Sequence, residues 1–203
     1  IVFTMVIDPE GSGLKGKNLT GASLEIPMDI QFKKFKEILP SLKSIGIIYN
    51  PEENERIITD AKTAGEKNKI ELKAFPVSSA KDIPKVETMD VSGIIIIPDT
   101  IVCKSTIIKY LLDASIKGKV PIMGFSPSYA KAGALFSLTP DYEDIGVQTA
   151  EIAVKIIKGE SPEKIPVTKA RKINLYVNTA VAEWLEITVP DSILNEAKEK
   201  FGK

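Results

Sequence analysis

A parallel α/β fold, with helices on both faces of its sheet, is what this sequence predicts, and three observations carry the prediction. In GIIIIPDT (93–100), four consecutive isoleucines leave no polar face. A strand without alternation is buried on both sides, as in a sheet covered by helices. Strand-like and helix-like stretches then alternate four times over before Phe125, and right-handed crossovers convert such alternation into a parallel sheet. Each strand also stops at polar residues: Asn50 and Glu53, Pro76 to Ser78, Asp99 and Thr100, Ser126 and Ser128. Ligands of such sheets sit beyond the strands' carboxyl ends. Asp99 and Thr100 either line a site of that kind or begin a loop and cap the next helix.

The elements follow in order. IVFTMVID (1–8) reads as a buried strand, and it runs into a glycine-rich loop. Gly11, Gly13 and Gly16 have the spacing of a dinucleotide fingerprint, but that motif needs a helix opening at its second and third glycines. Residues 17–21 continue instead as loop or short strand, which favours a flexible loop. Between Asp29 and Leu39, the residues Ile30, Phe35, Ile38 and Leu39 fall near helical spacing, and Pro40 ends the pattern. SIGIIYNP (44–51) is a short buried strand, and Ile57, Ile58, Ala61, Ala64 and Gly65 trace the next helix. IELKAFPV (70–77) alternates in part; residues 82–89 form a short helix or turn around Pro84.

Residues 105–117 carry Ile107, Ile108, Leu111, Leu112 and Ile116 at helical spacing, with Gly118 where a left-handed C-cap belongs. VPIMGF (120–125) is a strand, and after the SPSYAKA loop GALFSL (133–138) breaks the rhythm. The best-defined helix follows, with Thr139 as N-cap, Pro140 at its first position, Asp141 and Glu143 in its first turn and Gly159 past its end. Ile145, Ile152, Ile156 and Ile157 form its core stripe. KIPVTKARKINLYVN (164–178) is extended, with a strand over 172–178, and TAVAEWLEI (179–187) is a short helix.

Composition removes several function classes. The 203 residues hold 27 basic and 27 acidic side chains, so the formal net charge is zero. Nucleic-acid binding needs a basic excess on one face, and the densest basic cluster, Lys33, Lys34 and Lys36, reads as a solvated helix face. Histidine is absent, which excludes Ser-His-Asp and Cys-His nucleophilic catalysis and histidine metal sites. Cys103 is the only cysteine, so there is neither an internal disulfide nor a cysteine metal cluster. The sequence implies no metal site and no cofactor. No apolar run reaches the roughly 18 to 20 residues of a membrane span. Because Ile1 opens directly into a strand-like run without an initiator methionine, the chain is expected to be a fragment, and localisation is not readable from its start.

The ordered motifs VIDP (6–9), NLTGAS (18–23), IGIIYNP (45–51), IIPDT (96–100), GALFSLTPDYEDIG (133–146) and KIIKGESPEKIPV (155–167), with YVN (176–178) followed by ITVP (187–190), span nearly the whole chain. In them the sequence resembles the substrate-binding proteins of ABC transporters, in the group that includes the tryptophan and tyrosine binders. That resemblance implies a periplasmic-binding-protein type I fold, in which two α/β lobes joined by crossing strands hold a small solute. It implies one complete lobe plus part of a second: residues 1–28 and 128–160 for the partial first lobe, residues 29–127 and 161–203 for the second. It further implies an extracytoplasmic protein, periplasmic or a membrane-anchored lipoprotein, serving an importer's permease and free of catalytic chemistry.

Two departures from the family pattern stand out. Its chains begin well before IVFTMVIDP, so the first strand here would expose ladder groups and apolar side chains, which predicts self-association through the incomplete lobe. The family's helix near Trp184 commonly ends in Leu-Gly, whereas this chain has Leu185 and Glu186; a Cβ costs more in a left-handed cap, which predicts a different closure.

An amino-acid ligand needs an anion for its ammonium and hydroxyls or backbone N–H groups for its carboxylate. Asp99 is the leading candidate for the first role; Thr20, Gly21 and Ser23 are candidates for the second. Asp8, Asn50, Glu53, Asn54 and Thr100 could line a cleft, and Phe125 or Tyr142 could stack on a ring. Asp8-Pro9 and Asn50-Pro51 are equally turn formers, and Tyr142 equally a packed first-turn residue. A sugar-responsive transcription regulator's effector-binding core is the alternative reading. An enzyme would need an acid–base pair such as Asp141 with Glu143 or Asp144, but acids in a helix's first turn are explained by its dipole.

Overall fold

The structure, a computed structural model, describes residues 1–202; Lys203, the last residue of the expected second lobe, lies outside them. The chain divides into two units, Ile1–Pro27 with Thr139–Asn174, and Met28–Leu138 with Leu175–Lys203.

In the larger unit the β-branched runs form the strands of a sheet. These are β3 (Ser44–Tyr49), β4 (Glu71–Pro76), β5 (Gly93–Ile95), β6 (Ile122–Gly124), β7 (Phe136–Pro140), β8 (Ile173–Asn178) and β9 (Glu199–Phe201), in the order β4-β3-β5-β6-β7-β8-β9. The chain changes unit within β7 and β8. Registers run parallel from β4 through β3, β5 and β6 to β7, and again between β8 and β9. Every residue of β3 is buried, as expected of a strand covered on both faces, while edge strand β4 alternates. All four isoleucines of 94–97 are buried, although the ladder holds only as far as Ile95.

Helix α1 (Met28–Ile38) buries Met28, Phe32, Phe35 and Ile38. Its stripe therefore passes through Met28 and Phe32, two residues to either side of Ile30, which is exposed. Phe35 meets Phe136 edge to face at 5.0 Å. Gly93 makes room for that ring, since a Cβ there would lie 2.5 Å from Phe35 Cζ. Helices α2 (Pro51–Asn68) and α3 (Ser105–Gly118) follow β3 and β5. Gly118 stays helical and the left-handed cap falls on Lys119, at φ 52°. The SPSYAKA stretch, expected as loop, forms α4 (Pro127–Ala132) with Pro127 in its first turn. Helix α5 (Tyr142–Ile157) belongs to the smaller unit; α6 (Thr179–Trp184) and α7 (Asp191–Glu196) complete the larger one. The α6 turn closes in the left-handed conformation after all, with Glu186 at φ 58° and the Ile187 N–H donating to the Ala182 carbonyl. The Lys119 ammonium engages the Glu186 carboxylate.

In the smaller unit β1 (Val2–Val6) and β2 (Thr20–Ser23) pair in parallel. Ile1, Met5 and Ile7 are exposed and only Phe3 within β1 is buried, against the buried strand read from composition and in line with the exposed apolar side chains that the departure from the family pattern predicts. Among the described residues β1 pairs with β2 alone, and its register shifts at Met5, whose φ is 59°. Residues 165–170 run beside β2: the Ser23 N–H donates to the Thr168 carbonyl, the Thr168 N–H to the Gly21 carbonyl and the Ala170 N–H to the Glu25 carbonyl. Helix α5 is capped by Asp141, whose carboxylate accepts the Asp144 N–H, because Thr139 and Pro140 remain in β7. Arg171 grips the buried Asp144 through Nε and Nη2 and reaches Glu151 through Nη1. That grip holds the Asp144 carboxyl below the usual carboxylate range.

Gly21 is required by packing: a Cβ there would lie 2.2 Å from the Phe3 carbonyl oxygen. Gly21→Ala is expected to destabilise the protein by about 2–4 kcal/mol, read as a lowered urea midpoint. Asp144 contributes stability that is present above its unfolded value, 3.8, and lost as pH falls through its depressed folded value. Arg171→Met should therefore lower the melting temperature at neutral pH and flatten its dependence on pH below about 4. Parallel acid limbs in the two proteins would rule out this coupling.

Candidate functional site

At the carboxyl edge of the larger unit's sheet, β5 gives way to a proline that cannot donate and then to a tight turn. Asp99, only 6% exposed, accepts through Oδ1 from the N–H groups of Ile101 and Val102, both at 2.9 Å. Through Oδ2 it accepts from the Asn50 N–H at 2.6 Å and from Asn54 Nδ2 at 2.9 Å. Asn54 Nδ2 also donates to the Pro98 carbonyl at 3.1 Å. Asp99 thus stitches its own turn to the start of α2 rather than capping the next helix, since α3 is preceded by Lys104 with no side-chain cap. β3 and β5 are neighbours in the sheet, so the ends of both are fixed together.

Asn50 caps α2, its Oδ1 accepting the Glu52 N–H at 3.2 Å while its Nδ2 donates to Glu53 Oε1 at 3.0 Å. The Thr100 N–H donates to Glu53 Oε2 at 3.0 Å, and the Thr100 hydroxyl bonds Glu53 Oε1. The Thr100 hydroxyl, its N–H and the Asn50 amide together hold the Glu53 carboxyl below its ordinary value. Glu53 and Thr100 are both exposed. An ionised, solvent-facing carboxylate therefore stands on a buried hydrogen-bonded base.

The structure brings Asn50, Glu53, Asn54, Asp99 and Thr100 into one cluster. Phe125, half-buried, lies after β6 with its ring 4.8 Å from that of Tyr129. Burial and the neighbouring Cys103 push the Tyr129 phenol up. In the smaller unit Thr20, Gly21 and Ser23 share β2, but their groups are engaged locally. The Thr20 hydroxyl donates to the Ile165 carbonyl at 2.8 Å and the Ser23 hydroxyl to the Thr168 carbonyl at 3.1 Å. Asp8 Oδ1 accepts the Gly11 N–H at 3.0 Å, a turn arrangement, and Tyr142 is exposed at the start of α5. Sequence reasoning left out Asn178, which ends β8 and caps α6 by accepting the Val181 N–H at 3.0 Å. Its place after a strand and before a helix was the available signal. Among the described residues no three His, Cys, Asp or Glu side chains cluster to hold a metal ion, and no helix is long and apolar enough to cross a membrane.

A covered parallel sheet that collects polar side chains at its strands' carboxyl ends is the architecture of the periplasmic binding proteins, and solved structures share it. A conserved domain protein from Vibrio cholerae O1 biovar El Tor is 34% identical with a TM-score of 0.74, covering 98% of this chain and 71% of that one. An ABC domain from Streptococcus pneumoniae, solved in complex with L-Trp, is 26% identical with a TM-score of 0.75 and the same coverage. The chain belongs to the family of ABC transporter substrate binding proteins, whose model matches residues 1–201. The family is a class of solute-binding proteins, not of enzymes. The tyrosine-binding protein of Clostridioides difficile (strain R20291) is 27% identical over 198 residues, 92% of this chain and 57% of that protein. The chain thus spans less than two thirds of that curated relative's length.

Asp99→Ala would leave four donors facing an apolar gap, so it is expected to cost about 3–5 kcal/mol of unfolding free energy in urea titration. Asp99→Asn, which keeps one oxygen, should cost less. A loss below about 1 kcal/mol for the alanine variant would show that the turn is held by other contacts.

Proposed function

We propose that the chain binds an amino acid with an aromatic side chain and serves as the solute-binding component of an ABC importer, working outside the cytoplasm with a membrane permease. The observation that carries the reading is the exposed Glu53 carboxylate, fixed at the carboxyl edge of the sheet by Thr100 and Asn50 and kept ionised. An ammonium group is the complement of such a carboxylate. The names of two relatives support the ligand class: one is a tyrosine-binding protein, the other was solved with L-Trp. Family membership favours a transporter component over the regulator alternative.

In this reading Asp99, Asn50 and Asn54 hold the edge in shape, while Glu53 and Thr100 face the solute. Phe125 supplies an aromatic surface after the neighbouring strand β6. In the smaller unit we assign ring stacking to the exposed Tyr142 and carboxylate recognition to the region of Asp8, Thr20, Gly21 and Ser23. The hydroxyls and the N–H groups of Thr20 and Ser23 already serve carbonyls, so recognition of a carboxylate here would exchange those bonds for bonds to the solute.

Calorimetric titration with L-tryptophan and L-tyrosine, with glucose as control, tests the proposal. Binding of an aromatic amino acid and not of glucose is expected. Glu53→Gln should weaken it by about 10- to 100-fold, the equivalent of one charge-assisted hydrogen bond. Unchanged affinity in that variant would move the ammonium site off Glu53, and binding of glucose alone would overturn the ligand class.

A further inference from the structure

The polar edge of the larger unit carries negative charge that its own hydrogen bonds fix without neutralising. Glu53 accepts from the Thr100 N–H, the Thr100 hydroxyl and the Asn50 side-chain amide. Asp99 accepts from the N–H groups of Ile101, Val102 and Asn50 and from the Asn54 side-chain amide. Every one of these donors is neutral. Arg56, one turn along α2 from Glu53, is engaged with Asp60 at 3.1 Å. Asp99 is buried and Glu53 exposed, so Glu53 is where a solute meets this charge.

An aromatic ring has a place one strand away. Half-buried Phe125 follows β6, which pairs with β5, the strand that leads into Thr100. Neighbouring strands lie about 5 Å apart, a distance that a two-carbon arm between a ring and its ammonium group can cover. In the smaller unit, by contrast, the donors assigned to an amino acid's carboxylate are already engaged. The Thr20 N–H donates to the Ile1 carbonyl and its hydroxyl to the Ile165 carbonyl, while both Ser23 groups donate to the Thr168 carbonyl. A carboxylate has to displace those bonds, which offsets much of what it gains. An amino acid also brings its own negative charge close to Glu53, whereas an amine without a carboxylate arrives with a net positive one.

We propose that this edge takes aromatic primary amines of the arylethylamine class, which lack a carboxylate, at least as well as it takes the parent amino acids. The proposal rests on the reading of Glu53 as the ammonium site.

Calorimetric titration of the full chain with tryptamine, L-tryptophan and indole-3-propionate tests it, because the three share ring and arm and differ in their charged groups. Tryptamine is expected to bind within about threefold of L-tryptophan or tighter, and indole-3-propionate at least about 30-fold more weakly than tryptamine. Glu53→Gln should weaken tryptamine by about 10- to 100-fold. L-tryptophan bound more than about tenfold tighter than tryptamine would overturn the inference and leave the amino-acid reading standing. Tryptamine bound where L-tryptophan is not would support the inference and overturn that reading. Binding of neither, or tryptamine affinity unchanged in Glu53→Gln, would overturn the inference.

Discussion

The carboxylate of Asp99 is the constraint on which the larger unit's polar edge depends. β5 runs into Pro98, which has no N–H to give, and α3 does not start until Ser105. The backbone between them has no ladder to join. Asp99 resolves this by accepting the N–H groups of Ile101 and Val102, and it spends its second oxygen on the start of α2. A buried charge is tolerated when its lone pairs are all engaged, and charge-assisted bonds of this kind are roughly twice as strong as neutral ones. One side chain thereby closes a turn and locks two neighbouring strand ends.

This assignment divides labour between two acids that look alike in sequence. Asp99 has no free oxygen to offer a solute without unfastening the turn. Glu53, three residues after the cap of α2, is supported by Thr100 and Asn50 and still faces water. The positive end of the helix favours its ionised form as well. Rigid support behind an exposed charge is what a binding site needs, because a carboxylate already held in place loses little freedom when a cation arrives. The strand ending in Asp99 and the helix carrying Glu53 form one device with a buried half and an exposed half.

Much of this was legible in the sequence. The isoleucine run gave a core strand because four β-branched residues have no polar side, and the repeated alternation of strand and helix gave a parallel sheet. Membership of the five polar residues in a strand-end cluster was legible too, since each follows β3 or β5. Which acid is buried in the turn and which faces water was not, because that depends on hydrogen bonds between residues about 45 positions apart. Local errors have local causes. Gly118 and Glu186 were misjudged because other residues tolerate the left-handed cap when the carbonyls behind them are satisfied, as Lys119 and Glu186 do here. Thr139 lost the capping role to Asp141 because β7 extends through Pro140, which ends the strand without needing a ladder partner for its nitrogen. The burial that composition alone implies for IVFTMVID does not hold, whereas the exposed apolar side chains expected from the family pattern are found, because a strand is buried only if something lies on its far side.

The two units also solve the problem of stability differently. The larger one has an isoleucine-rich core, and Asp99 fastens its polar edge to the strand ends. The smaller one buries Phe3, Ala22, Ile145, Ile152, Ile165 and Ala170. Its cohesion leans on the backbone bonds of residues 165–170 to β2 and on Arg171 clasping Asp144.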